Sequence, residues 1–280
     1  MTEITTEQIA QYERDGILTL DTPITEQEIA DASDLFDELL PLPLPEGDKP
    51  VRHRVGRNYC LEPPLIRILE KPFFEEVAKQ LLHCDAVEVV NTAIRKTHPE
   101  PGAKFEVGEH TDIIYALQDL ESVPRRIDVG FFIWIADVDG DTAPLMVRRK
   151  SHRQIAEHMG DQPQYIQEPW DKDEYVNVPD AHTVPMGNGA HREQWPDLDY
   201  GPSIPCVAKA GQMTVLNPAA IHGASTNVGS TARKSLFIGF RPKGMIVGES
   251  KGRREGRKEY MAKFREVLSP GRKHIAAEID

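Results

Sequence analysis

Cysteine is scarce in this chain of 280 residues, which contains three of them and no CxxC pair. Cys60, Cys84 and Cys206 are odd in number and widely spaced, so neither a disulfide framework nor a zinc finger is expected. With 39% hydrophobic residues the chain can build its core without covalent cross-links. Such a sequence suits a reducing compartment, and we therefore expect a soluble, cytoplasmic protein.

Long apolar runs and an excess of positive charge are also absent. No run approaches the roughly 20 apolar residues of a membrane span, and the first residues lack the basic and apolar segments of a signal peptide.

The 33 Lys and Arg residues against 45 Asp and Glu residues give a formal net charge of -12. Because binding to a phosphate backbone needs a concentrated basic surface, no nucleic-acid partner is expected. The basic run at 251–258 is expected to be a solvated loop or the start of a helix. A small-molecule substrate is the expected partner, and the sequence indicates no oligomeric state.

Local patterns predict helices first and strands afterwards. Capping-box pairs at Thr5 and Thr25 start two helices, of which the first ends at Asp15 and Gly16 and the second at Leu40. A strand at 17–20, a proline-rich loop at 41–50 and a helix at 73–82 complete this part. The later strands are expected at 87–94, 129–135, 145–147, 213–216 and 236–240. The sequence thus predicts a single domain over 1–280, mainly β with flanking helices, as a sandwich or barrel. Periodicity is lost at about 154–205, which predicts an insertion that is either a lid or a solvated excursion.

The strongest chemical signal combines His110-Thr111-Asp112 with the distant His222. Residues i and i+2 of a strand share a face, so His110 and Asp112 can both point inward from one strand end. His222 follows a second buried strand and can supply a third ligand. Two imidazoles and one carboxylate are the ligand set of non-haem Fe(II) oxygenases, because they leave coordination positions open for substrates. A zinc site with a bound water remains an alternative.

Arg233 lies eleven residues after His222, at the start of an apolar strand. Arg233 and Ser235 share a face of that strand, so a guanidinium and a hydroxyl can reach the same group. A planar guanidinium binds a carboxylate at two points, which a lysine cannot do. The spacing of eleven residues between His222 and Arg233 therefore favours a carboxylate-bearing cosubstrate beside a metal.

Several stretches together resemble the phytanoyl-CoA dioxygenase family of Fe(II)- and 2-oxoglutarate-dependent oxygenases. They are the start at 11–18, the loop at 94–102 before the HxD motif, the segments 134–139 and 143–153, and the distal stretch from 210 to 233. The resemblance implies a double-stranded β-helix, which is a jelly-roll of the cupin type. It also implies that His110, Asp112 and His222 bind iron and that Arg233 holds the distal carboxylate of 2-oxoglutarate with help from Ser235. Thr92 and Phe132 correspond to further positions that line the cosubstrate pocket.

The implied activity is hydroxylation of an unactivated C–H bond of a small molecule, with O2 as second cosubstrate and release of succinate and CO2. Asp112 disfavours the related halogenases, which need that position vacated for chloride. Two departures from the family pattern stand near the site: Arg148-Arg149-Lys150 replaces an apolar-Pro-Gly lead into Ser151-His152, and Ala224 replaces a common hydroxyl. In the family His152 is structural and not a ligand. A cupin-like module that binds a metal or ligand without catalysis, and a zinc-dependent hydrolase, are the alternatives.

Overall fold

The structure is a computed structural model that describes residues 3–160, 165–167, 175–176, 183–184, 189–245 and 249–279. Its helices are α1 (Thr6–Asp15), α2 (Glu26–Leu39), α3 (Pro63–Leu69), α4 (Pro72–Leu82), α5 (Leu117–Glu121), α6 (Ser151–Met159), α7 (Ala190–Gln194) and α8 (Lys251–Val267), followed by a 3-10 helix at Pro270–Ile275. Its strands are β1 (Ile17–Leu20), β2 (Arg54–Asn58), β3 (Val87–Thr97), β4 (Ile113–Ile114), β5 (Val129–Trp134), β6 (Leu145–Val147), β7 (Tyr165–Gln167), β8 (Tyr175–Val176), β9 (Thr183–Val184), β10 (Ile204–Cys206), β11 (Met213–Leu216), β12 (His222–Ala224), β13 (Arg233–Pro242) and β14 (Glu249–Ser250).

Two antiparallel sheets form the centre of the molecule. The major sheet has the strand order β1-β11-β5-β13-β3-β2, and the minor sheet has the order β10-β6-β12. Two small sheets, β14-β8 and β4-β7-β9, add a parallel contact between β7 and β9. The prediction of a mainly β fold with flanking helices is confirmed. Within the described residues the two central sheets remain separate and do not close into one barrel.

The major sheet has a different neighbour on each side. On the side that we call the helix face, Ile94, Phe131 and Ile238 belong to one apolar cluster with Phe74 of α4 and Phe264 of α8. The opposite side, called here the inner face, packs against the minor sheet: a second cluster combines Trp134, Leu216 and Ile17 with Leu145, Val147 and Cys206. The molecule is therefore layered as helices, major sheet and minor sheet.

The two N-terminal helices begin as their sequences predict. Thr5 and Thr25 each accept a hydrogen bond from a backbone amide three residues later, and the side chains of Gln8 and Glu28 bond back, so both capping boxes are formed. Gly16 ends α1 in the left-handed conformation with φ of 74°. These caps are local, which explains why the predicted helix bounds agree with the structure to within a residue.

Several elements differ from the sequence prediction. Strand β3 extends to Thr97 and strand β13 starts at Arg233, so both strands are longer than the apolar segments that predicted them. Their polar ends are paired with each other in the sheet, which keeps these residues in the strand conformation. The basic run at 251–258 is the start of α8, as predicted, and of its residues only Arg257 is buried. The segment at 41–50 contains no helix or strand, as predicted. The three cysteines are free. No helix among the described residues has both the length and the apolarity of a membrane span.

Candidate metal centre and active site

His110 and His222 lie directly opposite each other in an isolated antiparallel bridge between the minor sheet and the loop before β4. The His110 amide donates to the His222 carbonyl at 2.8 Å, and the His222 amide donates to the His110 carbonyl at 2.9 Å. Directly opposed residues project to the same side, so the two imidazole centroids are only 4.5 Å apart. The backbone itself therefore holds the two imidazoles side by side.

Asp112 completes the group. Its amide donates to the Pro218 carbonyl at 3.0 Å, which fixes the chain between β11 and β12 against the HxD loop. One carboxylate oxygen is 3.5 Å from the Nε2 of His110, and the other is 3.6 Å from the Nε2 of His222. One ligand atom from each of the three residues lies within 4.8 Å of the others. With metal–ligand bonds of about 2.1 Å, two ligands of one ion lie at most about 4.2 Å apart, so the 3.5 and 3.6 Å contacts of Asp112 fit a shared ion.

Hydrogen bonds orient both imidazoles for metal binding. The Nδ1 of His110 is 3.0 Å from the Gly108 carbonyl, and the Nδ1 of His222 is 2.8 Å from the Ala220 carbonyl. Because a carbonyl only accepts, each Nδ1 carries the proton and each Nε2 has its lone pair free toward Asp112. The donor set is therefore prepared for a cation without rearrangement. The side chain of Asp112 is 57% exposed, which leaves an approach for small ligands.

Gly223 permits this close approach of the two segments. A Cβ at this position would lie 2.4 Å from the Gly108 carbonyl oxygen, which is closer than van der Waals contact allows. Any side chain here would push apart the segments that carry His110 and His222. The sequence analysis placed both His110 and Asp112 on a strand; in the structure β4 begins only at Ile113, and the bridge to His222 holds the motif instead.

Arg233 is buried on the inner face, with 4% of its surface exposed. One of its terminal nitrogens donates to the Ala143 carbonyl at 2.7 Å, and the guanidinium carbon lies 6.0 Å from the centroid of the Trp134 ring. Its Nε has no hydrogen-bond partner among the described residues, and none of their carboxylates forms an ion pair with it. Burial, together with the positive charges of the nearby Arg54 and Arg95, lowers the pKa of Arg233 to about 9. A desolvated cation without a counter-ion is a site for an anionic ligand.

The register shows which predicted residues accompany Arg233. Ser235 is buried and lies opposite Arg95 on one side and Trp134 on the other, so all three share the inner face. Phe132 is half-buried on the same face and packs against Phe237 with centroids 5.0 Å apart. The structure thus brings Arg233, Ser235 and Phe132 to one surface.

Thr92 lies on the other face, which corrects its expected place in the pocket. It is paired with Ile238, which in turn is paired with Phe131, and both of these belong to the helix-face cluster. The Thr92 hydroxyl is 2.7 Å from the Tyr260 hydroxyl of α8 and accepts from the Cys60 amide at 3.0 Å. A shift of one residue along a strand reverses the face on which a side chain lies, so a small offset in the family correspondence is enough to misplace Thr92.

His152 has a structural position, as the resemblance implied. Its Nε2 donates to the Glu13 carbonyl at 3.1 Å, and its other nitrogen lies where a side chain on Gly16 would clash. Burial lowers the pKa of His152 to about 4, so the neutral ring is the folded form. Lys150, which replaces the glycine of the family pattern, has φ of 66° and precedes α6 directly.

Glu109 and its partners form an ion-pair cluster next to His110 that no sequence pattern predicted. This carboxylate is buried next to His110 and accepts from Arg148 at 2.9 Å and from Arg192 at 2.7 Å. The Gly189 amide donates to the Glu109 carbonyl at 2.8 Å, and Arg148 also donates to the Gly201 carbonyl. The described end of the 154–205 segment is therefore tied to the HxD loop, and Arg148 is an ion-pair partner of Glu109. Much of that segment lies outside the described residues, so both alternatives, a lid and a solvated excursion, stay predictions.

Comparisons with known proteins agree with this geometry. The family model described as phytanoyl-CoA dioxygenase (PhyH) matches residues 12–235. The curated ectoine dioxygenase of Bordetella parapertussis is 23% identical over 246 residues, which cover 84% of this chain and 74% of that protein.

Solved structures of low sequence identity share the fold. The epimerase SnoN, solved with Fe3+, alpha ketoglutarate and nogalamycin RO, has a TM-score of 0.58 at 13% identity and covers 87% of this chain and 84% of its own. HygX from Streptomyces hygroscopicus, solved with nickel and 2-oxoglutarate, has a TM-score of 0.53 at 12% identity and covers 86% and 89%. Since the family model covers most of the chain, this protein belongs to the phytanoyl-CoA dioxygenase family and is an iron- and 2-oxoglutarate-dependent oxygenase.

Proposed function

We propose that this protein hydroxylates an unactivated C–H bond of a small molecule, with His110, Asp112 and His222 as iron ligands and Arg233 as the residue that binds 2-oxoglutarate. The observation that carries the proposal is the buried Arg233 guanidinium on the inner face, which has no carboxylate partner among the described residues. A hydrolytic zinc site has no need of such a cation. The relatives named ectoine dioxygenase support a small-molecule substrate as a class.

The triad's role is to hold the metal. The two Nε2 atoms and the Asp112 carboxylate would bind the iron, and a set of three protein ligands would leave coordination positions open for the 2-oxo acid and O2. Bound iron would supply the activation of O2 and the oxidation of substrate, coupled to conversion of 2-oxoglutarate to succinate and CO2. The backbone carbonyls of Gly108 and Ala220 keep the imidazoles oriented throughout.

Arg233 and its neighbours position the cosubstrate. A guanidinium that already donates to the Ala143 carbonyl keeps its remaining N–H groups for a carboxylate, and the Ser235 hydroxyl lies on the same face. Trp134 and Phe132 provide an apolar wall, with their rings stacked at 6.1 Å. Low local polarity strengthens the ion pair because little water competes for the charges.

Anaerobic titration tests the assignment. Protein loaded with Fe(II) should develop a visible metal-to-ligand charge-transfer band as 2-oxoglutarate is added. Arg233→Ala should weaken 2-oxoglutarate binding by about 3 kcal/mol, or on the order of 100-fold, since it removes one member of a buried charge pair. Lys234→Gln is the matched control, because Lys234 is the next residue but bonds Asp37 at 2.8 Å on the helix face.

Two outcomes would contradict the proposal. One is an iron-loaded wild type that neither binds 2-oxoglutarate nor forms succinate under oxygen. The other is equal 2-oxoglutarate affinity in wild type and Arg233→Ala with circular dichroism showing both folded. A zinc-dependent hydrolase or a binding module without catalysis would give the first result.

A further inference from the structure

A basic groove opens where the edge strand β2 runs along β3. It has a volume of about 350 Å³ and is lined by Arg54, Val55, Gly56, Asn58 and Arg95. Its two arginines are not among the residues assigned to iron or to 2-oxoglutarate. The positive charge of the groove is therefore not accounted for by the iron or 2-oxoglutarate sites.

The strand register connects this groove to the cosubstrate site. Arg54 is paired with Thr97 in β3, and Thr97 is paired with Arg233 in β13, so these residues form one row across three strands. The next row contains Gly56, Arg95 and Ser235. Directly opposed residues share a face, so Arg54 and Arg95 lie on the inner face together with Arg233. Arg54 is two strands away from Arg233, or about 10 Å between their backbones.

Arg95 is held in place by neutral groups. One terminal nitrogen donates to the carbonyls of Arg57 at 3.1 Å and of Ile94 at 2.9 Å, and the other donates to the Asn58 side chain at 2.6 Å. Gly56 makes room for this arrangement, because a Cβ there would lie 2.4 Å from the Arg95 Cδ. The guanidinium is thus fixed against the edge strand while its charge is not neutralised by these contacts.

Neither arginine of the groove forms an ion pair with a described carboxylate, whereas Arg57 on the same strand pairs with Glu62 at 2.6 Å. Partial desolvation lowers the pKa of Arg54, and the pKa of Arg95 is lowered by desolvation and then by Arg54. Asp112 is the acid that acts on Arg54, and its charge is committed to the metal in the proposed function. Like charges placed together without counter-ions favour binding of an anion.

We infer that Arg54 and Arg95 bind an anionic group of the substrate, and that the substrate is therefore a small molecule with a carboxylate or a phosphate. That the bound molecule is the substrate of the enzyme rests on the proposed function. Arg233 serves the cosubstrate, and the groove lies beyond it along the same rows of the sheet. A substrate anchored there by its anionic end extends along the inner face toward the triad.

Calorimetric titration of the Fe(II)-loaded protein, kept anaerobic and saturated with 2-oxoglutarate, tests this inference with two probes, inorganic phosphate and acetate. Wild type should bind at least one probe, and the preferred probe identifies the anionic group. The double variant Arg54→Gln/Arg95→Gln should bind it at least tenfold more weakly. Arg57→Gln is the matched control, since it removes a cation of the same strand that is already paired and should leave the affinity unchanged. Arg54→Gln alone, at an exposed position of an edge strand, keeps the test available if the double variant fails to fold.

Each outcome bears on the inference separately from the proposed function. No probe binding by wild type, or equal binding by wild type and the arginine variants, overturns the groove assignment. If the double variant loses 2-oxoglutarate affinity as severely as Arg233→Ala, the pair serves the cosubstrate, and the inference fails while the oxygenase proposal stands. If wild type binds phosphate or acetate through Arg54 and Arg95 but does not bind 2-oxoglutarate, the anion site stands and the proposed function fails.

Discussion

The two faces of the major sheet are made from the same strands yet have opposite chemistry. On β13, Leu236, Ile238 and Phe240 enter the apolar cluster under the helices, while Arg233 and Ser235 face the interior on the opposite side. On β3, Ile94 faces the helices and Arg95 faces the interior. The two-residue repeat of a strand makes this separation possible within one hydrogen-bonded ladder.

The difference teaches how this fold holds a polar site rigidly. The helix face buries large side chains tightly, so the backbone of β3 and β13 is fixed from behind. The inner face can then hold uncompensated cations, because packing on the other side balances their cost. Alternate residues of these strands thus contribute to stability and to ligand binding. Substitutions on the helix face should change the free energy of unfolding, and substitutions on the inner face should change ligand affinity.

The largest expected effect comes from Phe240→Ala on the helix face. Phe240 is fully buried and packs against Phe131 with ring centroids 5.3 Å apart. Its truncation should lower the free energy of unfolding by about 4 kcal/mol through lost burial and a residual cavity. Urea unfolding measures this change, and at low temperature the folded variant should bind 2-oxoglutarate with wild-type affinity. A large loss of affinity in the folded variant would show that the faces are not independent.

Acid should reduce stability through a histidine that contacts neither ligand site. The folded pKa of His152 is about 4, below its ordinary value of 6.5, so the unfolded chain takes up the proton first. Its contribution is therefore complete above pH 6.5 and is lost as the pH falls to 4, by on the order of 3 kcal/mol. Unfolding of the metal-free protein across this range should show the decline, and His152→Gln should have a shallower slope. His158→Gln, an exposed position of the same helix, should keep the wild-type slope; if His152→Gln keeps it too, the assignment is wrong.

The smallest effects should come from two hydroxyls on opposite faces. Thr92→Val removes the contacts to Tyr260 and Cys60 and should cost about 1–3 kcal/mol of stability while 2-oxoglutarate affinity is unchanged. Ser235→Ala should do the reverse, with little loss of stability and 2-oxoglutarate affinity weakened by about 1 kcal/mol, or roughly fivefold. Unfolding curves and the charge-transfer titration on both variants give a direct comparison. Weaker cosubstrate binding in Thr92→Val would reverse the face assignment.

Local patterns in the sequence predicted many of the helices and strands of the fold. Capping boxes and an αL glycine defined α1 and α2, and apolar runs located β5, β6 and β11. The short or polar strands β2 and β12 escaped detection, because their formation depends on neighbours that are distant in the chain. The convergence of His110, Asp112 and His222 was predicted from residue types and from family resemblance. Its iron role stays a prediction to be measured.

Thr92 and Glu109 show where sequence reasoning stopped. The side of the sheet on which Thr92 lies is set by the pairing register of its strand, and a shift of one residue reverses that side. A single sequence does not contain this register, because it depends on the neighbouring strands. Glu109 reads as an ordinary acidic residue until the chain brings Arg148 and Arg192 to it. Arg54 likewise stands in a polar strand with no pattern, and only its place opposite Thr97 relates it to Arg233.

The order of residues by itself determined the ligand types, the helix starts and the alternation that divides each strand between two environments, because these follow from side-chain chemistry and local backbone geometry. Tertiary structure decided which alternate set faces the metal, which carboxylates neutralise which cations, and which guanidinium groups are left with charge for a ligand. Those choices depend on strand pairing between segments more than a hundred residues apart, as between His110 and His222. Pairing at that separation is fixed by the packing of the whole domain and not by any one stretch of chain.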